Sequence, residues 1–257
     1  MTRIGIIGGS GLDDPEILAG ARDEVAETPW GAPSSPLRRG TIEGVECMLL
    51  ARHGRAHTIP PTFVNNRANL HALRAAGCGA VLATTAVGSL REEIGRGDLV
   101  LLDQFLDCTR LRPLSFHEHF EPGKPVHTPM AEPFDAALRA RLIESARALG
   151  LRHHPRGTVV TIEGPRFSTR AESTLFRAWG ADVINMSTAP ECALAAEAGL
   201  PYAAVAMATD YDSWKADEAP VTWDEITRIF AANVEAVVRL LVRTIASLRG
   251  ASPPDPP

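Results

Sequence analysis

The sequence predicts an α/β fold: a single domain with a central sheet flanked by helices. Short apolar runs alternate along the whole chain with longer segments of helix-like composition and period, and 257 residues are enough to bury one sizeable core. The runs at 4–7, 47–50, 80–84, 99–102, 159–162, 183–185 and 202–207 are short, bounded and apolar, as buried strands are. The stretches 64–76, 136–149, 169–178, 190–198 and 223–248 read as the helices between and after them. No internal repeat is present. The domain is expected to span 1–250, followed by the proline-rich tail 251–257, which cannot continue a helix and is expected to be disordered.

Composition narrows the setting. A net charge of -5 argues against a nucleic-acid-binding surface, and 45% hydrophobic with 22% charged residues is ordinary for a soluble globular chain. Cys47, Cys78, Cys108 and Cys192 form no CxxC pair, so neither a zinc knuckle nor a disulfide framework is signalled. A reducing, cytoplasmic setting follows. The N-terminus enters an apolar strand at Ile4 without a charged leader, and no run approaches the roughly 18 apolar residues of a membrane span. Neither secretion nor a membrane partner is expected.

Ligands of α/β folds tend to sit at the carboxyl ends of strands, and here those ends are stocked with hydrogen-bonding groups. After the first strand, Gly8-Gly9-Ser10-Gly11 is either an anion-binding turn or a plain tight turn; it lacks the third glycine of GxGxxG and a Walker lysine. After the second come Arg52 and His53, and the guanidinium fork suits a phosphate. His53 and His57 lie four apart, but Gly54, Arg55 and Ala56 between them supply no glutamate, so no HExxH metal site is signalled. After the third, Thr84-Thr85-Ala86-Val87-Gly88-Ser89 reads as a hydroxyl-rich turn that serves either a ligand or its own backbone. Asn185-Met186-Ser187-Thr188 follows the sixth, with Met186 open to packing on a sugar or in the core. The last strand ends in Thr209-Asp210-Tyr211-Asp212, two carboxylates placed to hold a purine edge if they face a pocket. No Ser-His-Asp order, GxSxG elbow or reactive-cysteine setting occurs, so a bound anion is the better candidate nucleophile than a side chain.

Taken in order, 4–12, 51–55, 84–90, Glu163-Gly164-Pro165-Arg166-Phe167-Ser168, 185–188 and 209–212 resemble the trimeric purine nucleoside phosphorylases, in the branch that acts on methylthioadenosine. The likeness runs from about Ile4 to near Leu248. It implies a mixed, partly barrel-like sheet flanked by helices. It also implies phosphate contacts from Ser10, Arg52, His53, Thr85, the amide of Ala86 and Ser187, a ribose contact from Met186, and Phe167 against the base. Asp210 matches the residue that shares a proton with the purine ring nitrogen, and Asp212 lies close by to hold the amino edge. Members that take 6-oxopurines carry a glutamate where this chain has Ser168 and an asparagine where it has Asp210, so the resemblance implies adenine as the base.

The implied reaction is phosphorolysis of 5′-methylthioadenosine to adenine and 5-methylthioribose 1-phosphate, with inorganic phosphate as co-substrate and no other cofactor. Asp210 serves departure of the base if burial raises its pKa. A phosphorylase for another 5′-substituted adenosine, such as a 5′-halo compound, or for a 6-oxopurine nucleoside is the alternative; a nucleosidase would need no phosphate site, and a purine-binding sensor would show no turnover. Trp223 stands where the family often has a small aliphatic residue at the 5′ end, and reads either as pocket lining or as the first anchor of its helix. The C-terminal segment that closes over the 5′ group in the animal enzymes is not expected after the long helix. The irregular stretch 107–133 is expected to be an active-site loop, an interface loop or a mobile excursion. In it, His127 matches the position that reaches the neighbouring subunit's 5′ pocket, which implies a homotrimer with pockets near its interfaces.

Overall fold

The computed structural model describes residues 3–9, 12, 16–215 and 223–250, with side chains described up to 215 and again from 234. Eleven strands and five α-helices occur among them. The chain runs β1 (Arg3–Gly8), β2 (Ala19–Glu24), β3 (Leu37–Ile42), β4 (Val45–Ala51), α1 (Asn66–Ala75), β5 (Cys78–Ser89), β6 (Leu99–Leu101) and β7 (Gln104–Cys108). It continues through α2 (Ala136–Ala148), β8 (His153–His154), β9 (Thr158–Ile162), α3 (Arg170–Ala178), β10 (Val183–Asn185), α4 (Thr188–Glu197), β11 (Tyr202–Tyr211) and α5 (Trp223–Ser247).

One mixed sheet carries all the strands, and it forks at β5. Along one edge β5 pairs in parallel with β1 up to Ala83; beyond Val87 antiparallel β10 pairs with it instead. The other edge pairs in parallel with β11. From the fork, β1 leads to β4, β3 and β2, while β10 leads to β9 and β7.

Strand alternation explains the layering, because successive side chains point to opposite faces. Ile4 and Ile6, Cys47 and Leu49, Ala80 and Leu82, and Ala203 and Val205 face Leu138 and Leu142 of α2 and Leu240, Leu241 and Ile245 of α5. Their neighbours Ile7, Met48, Leu50, Val81, Ala83 and Ala204 face Leu70 and Leu73 of α1 and Cys192 and Leu194 of α4. Both faces of the central strands are therefore covered, as their near-continuous apolar runs require. Each fully buried Leu or Ile contributes roughly 1.5–3 kcal/mol.

Two differences from the sequence reading bear on the site. The segment 84–89 is strand rather than turn, since β5 continues to Ser89 beside both β10 and β11. Likewise β11 runs past Met207 to Tyr211, with a register shift between Ala208 and Asp210. Both segments turn polar where the backbone ladder still has partners. The stretch 107–133 is docked at its start: Glu197 accepts bonds from the Ser115 hydroxyl and the Phe116 amide, and Arg112 is buried against Glu163. Residues 117–127 are exposed. The tail 251–257 lies outside the described residues, and no described helix is long and apolar enough to cross a membrane.

Candidate active site

Strand ends build one cavity of about 500 Å³. Arg52, His53, Thr85, Ala86, Phe167, Ser168, Met186, Ser187, Asp210 and Asp212 all line it. Ser10 lies outside the described residues, as does the side chain of Trp223, whose backbone opens α5. His127 does not line the cavity; it is exposed on the 117–127 segment, edge-on to Phe120 at 5.9 Å between ring centroids.

The guanidinium end forms where β1, β4 and β5 finish side by side. The Arg52 amide donates to the Gly8 carbonyl at 3.0 Å, which ties the chain after β4 to the chain after β1. A side chain at Gly9 would put Cβ 2.8 Å from the Thr84 carbonyl and 2.9 Å from Arg52 Nη1, so only glycine lets the three strand ends approach. Arg52 itself is 2% exposed. Its Nη1 donates to the Thr84 carbonyl at 2.8 Å, and its Nε and Nη2 donate to the two carboxylate oxygens of Glu191 at 2.7 and 2.9 Å. The fork that the sequence suggested for phosphate thus grips a buried glutamate while the same side chain borders the cavity. Tyr202 completes the group, donating to Glu191 Oε1 at 2.6 Å. Burial, with the Glu191 charge beside it, pushes the Tyr202 hydroxyl well above its ordinary pKa and keeps it a donor.

His53 Nδ1 lies 2.9 Å from the Ile59 carbonyl, an acceptor only, which assigns the proton of the neutral ring to Nδ1. Next to it the Thr85 and Ser187 hydroxyls meet at 2.9 Å, joined by the Asn185 amide. Gly164 adopts φ +69°, and a Cβ there would fall 2.5 Å from Met186 Sδ; the glycine lets the 163–168 segment lie directly on that thioether.

At the carboxylate end both acids are nearly buried, Asp210 at 8% and Asp212 at 7% exposure. Thr209 donates to Asp210 Oδ1 at 2.7 Å, and Ser168 donates to Asp212 Oδ2 at 2.5 Å. Ser168 therefore orients one carboxylate of the pair instead of adding a third acid. Phe167 stands at the mouth, half exposed. The 163–168 segment is held from behind by Arg112, which donates to Glu163 Oε1 and to the carbonyls of Glu163 and Ala189. For Glu163, burial alone would raise the pKa, but the Arg110 and Leu111 amides and the Arg112 guanidinium hold it below the ordinary value.

Sequence reasoning missed Glu191, Tyr202, Asn185 and Arg112 as parts of this construction. It weighed His57 only as a metal ligand, whereas the structure places it on the cavity wall with φ 51°, its ring 4.6 Å from that of His53. The thiols stay outside the chemistry: burial pushes Cys47 and Cys78 up to about 12 and Cys192 well above its ordinary range.

A forked α/β sheet whose strand ends enclose guanidinium, hydroxyls and a carboxylate pair defines a class, and the chain belongs to the phosphorylase superfamily, whose family model matches residues 3–246. Among its relatives, the S-methyl-5′-thioadenosine phosphorylase of Danio rerio is 54% identical over 248 residues, covering 96% of this chain and 89% of that protein. The Drosophila melanogaster protein of the same name is 49% identical over 248 residues, 96% of this chain and 86% of its own. The methylthioadenosine phosphorylase of Schistosoma mansoni in complex with adenine superposes with a TM-score of 0.93 at 40% identity, over 98% of this chain and 93% of that one. A single-residue variant of the Schistosoma enzyme in complex with methylthioadenosine superposes with a TM-score of 0.88, at the same identity and coverage.

Proposed function

We propose that this chain catalyses the phosphorolysis of 5′-methylthioadenosine to adenine and 5-methylthioribose 1-phosphate. The observation that carries the reading is the lining of this cavity, which brings together Arg52, Thr85, Ala86 and Ser187, the thioether of Met186, and the carboxylates of Asp210 and Asp212. Those three groups match phosphate, sugar and purine in turn. The named relatives at 49–54% identity and the Schistosoma complexes with adenine and methylthioadenosine support the same substrate.

In this reading Arg52, His53, Thr85, Ser187, the Ala86 amide and Ser10 bind inorganic phosphate, which serves as co-substrate. A phosphate oxygen attacks the anomeric carbon as the bond to the base breaks, and the electron pair leaves with adenine. Bond breaking runs ahead of bond making, because a ribosyl centre becomes oxocarbenium-like. Asp210 gives the purine ring nitrogen a proton or a strong hydrogen bond, Asp212 accepts from the amino edge, and Ser168 fixes Asp212 for that task. Phe167 covers the base, and Trp223 belongs to the 5′ end.

We also propose that residues 1–250 form one phosphorylase domain with a separate tail at 251–257, and that the protein works in the cytoplasm as a homotrimer. The four free thiols support a reducing compartment. Exposed Leu111, Leu114, Phe120 and Val126 on the stretch that carries His127 support an interface that brings His127 to a neighbour's 5′ pocket. A monomer in sedimentation that turns over at full rate would remove the shared pocket. The reaction itself is tested by following adenine release from methylthioadenosine with and without phosphate. Strict phosphate dependence is expected; equal release in phosphate-free buffer would identify a nucleosidase, and no release a binding protein.

A further inference from the structure

Asn185 ends β10 and is 5% exposed at the cavity wall, yet the reaction outlined above gives it no task. Its amide orientation is fixed by its neighbours. The Thr161 hydroxyl accepts from the Ala189 amide at 3.2 Å, so its own hydrogen is directed to Asn185 Oδ1, 2.8 Å away. The Ser187 main-chain N–H, which can only donate, also approaches Oδ1 at 3.4 Å. The oxygen therefore faces Thr161, and Nδ2 faces the hydroxyls.

Nδ2 has two hydrogens. It lies 2.7 Å from Thr188 Oγ1 and 3.1 Å from Thr85 Oγ1, with Ser187 Oγ further off at 3.4 Å. A hydroxyl whose lone pair receives a donor turns its own hydrogen elsewhere. For Thr85 the choices are the Ala86 carbonyl at 3.1 Å, the Ser187 hydroxyl at 2.9 Å, or an anion in the cavity. The unprotonated oxygens of a phosphate anion accept only, so each gains a bond where a hydroxyl hydrogen is turned outward and meets repulsion where a lone pair is presented instead.

We infer that Asn185 is a positioning residue that orients the hydrogen-bonded Thr85–Ser187 hydroxyl pair so that its remaining hydrogen is turned outward to donate to phosphate. The inference rests on the reading of this end of the cavity as the phosphate site. Asn185 need not touch the anion. Its amide removes the competing arrangement in which the hydroxyls point their lone pairs into the cavity, a preorganisation that ordinary hydroxyl rotation would otherwise have to supply on binding.

The test is a set of variants of the full chain, Asn185→Ala, Asn185→Asp, Thr85→Val and the double variant Asn185→Ala with Thr85→Val, assayed for adenine formation over phosphate and methylthioadenosine concentrations. Asn185→Ala is expected to raise the phosphate KM about tenfold and the methylthioadenosine KM less than twofold. Asn185→Asp, which replaces the donor with an acceptor and draws the hydroxyl hydrogens inward, should raise the phosphate KM further. In the double variant the loss should stay within about threefold of Thr85→Val alone, because the amide acts through that hydroxyl. If Asn185→Ala does not fold, the cycle is run on the isosteric Asn185→Asp. An equal rise of both KM values, or losses that multiply in the double variant, would show a merely structural asparagine. A raised phosphate KM in Thr85→Val beside an unchanged one in Asn185→Ala overturns this inference alone. An unchanged phosphate KM in Thr85→Val overturns the phosphate reading and the inference with it.

Discussion

Replacing Glu191 with glutamine changes one atom in a carboxylate that is completely buried and accepts from three donors, Arg52 Nε, Arg52 Nη2 and the Tyr202 hydroxyl. Either orientation of the new amide sets its NH2 against an Arg52 donor, because Oε2 receives Nε and Oε1 receives Nη2. The variant also leaves the guanidinium charge without its buried counter-charge. Breaking a buried pair from one side costs about 3–5 kcal/mol, against roughly 1.5–3 kcal/mol for removing one hydrogen bond to a charged group. At roughly 2–4 °C per kcal/mol for a chain of this size, Glu191→Gln should lower Tm by about 6–20 °C, and Tyr202→Phe by about 3–12 °C. Thermal unfolding should be followed at matched protein concentration, since assembly adds to apparent stability. Because the pair holds Arg52 at the cavity, the surviving enzyme should also show a raised phosphate KM with a smaller change for the nucleoside. A Tm within about 2 °C of the parent would refute the claim that this pair fastens α4 to the end of β4.

Three further outcomes are expected. Arg52→Ala should raise the phosphate KM roughly ten- to a hundredfold, the loss of a charge-assisted contact worth about 1.5–3 kcal/mol, as steady-state kinetics in varied phosphate will read. Asp210→Asn should lower turnover of methylthioadenosine by about 10² to 10³ and lessen the bias against 6-oxopurines, measured by competing methylthioadenosine with methylthioinosine. Glu172, paired with Arg166 and bonded by the Thr169 amide, has its pKa held down at about 2 against an ordinary 4.5. Its charge thus stabilises the native state above pH 4.5 and loses that effect as pH falls from there to about 2. The pair is solvent-exposed and screened, so the small Tm gap between the parent and Glu172→Gln at neutral pH should close across that acid window.

Periodicity made the core strands legible because their side chains are apolar on both faces. Of the four strands it missed, three lack that signature for identifiable reasons. Ala19–Glu24 and Leu37–Ile42 form the outer part of the sheet, and their charges are satisfied on the surface, Asp23 by Arg55 and Arg39 by Glu46. His153–His154 is too short to show any period. Among the described site residues, those on quoted motifs line the cavity, whereas Glu191 sits 139 positions from Arg52 inside a mostly apolar helix. Nothing local to either residue announces the other.

The two misjudged strand ends have a common cause that leads back to chemistry. Thr84, Thr85 and Ser89 on β5, and Thr209 and Asp210 on β11, are polar residues at buried positions of a sheet interior, where local preference favours apolar side chains. Reading polarity as the end of a strand is sound wherever burial would leave polar atoms unpaired. Here each is paired: Thr209 with Asp210, Thr85 with Ser187 and Asn185, Ser89 with the Arg91 amide and carbonyl. The ladder between β5 and β11 continues beneath them and holds them rigidly, which is what a site needs if its donors are to be aimed before the ligand arrives. On these two strands the conflict between local pattern and fold falls where they carry function instead of core, since Thr85, Thr209 and Asp210 line the cavity.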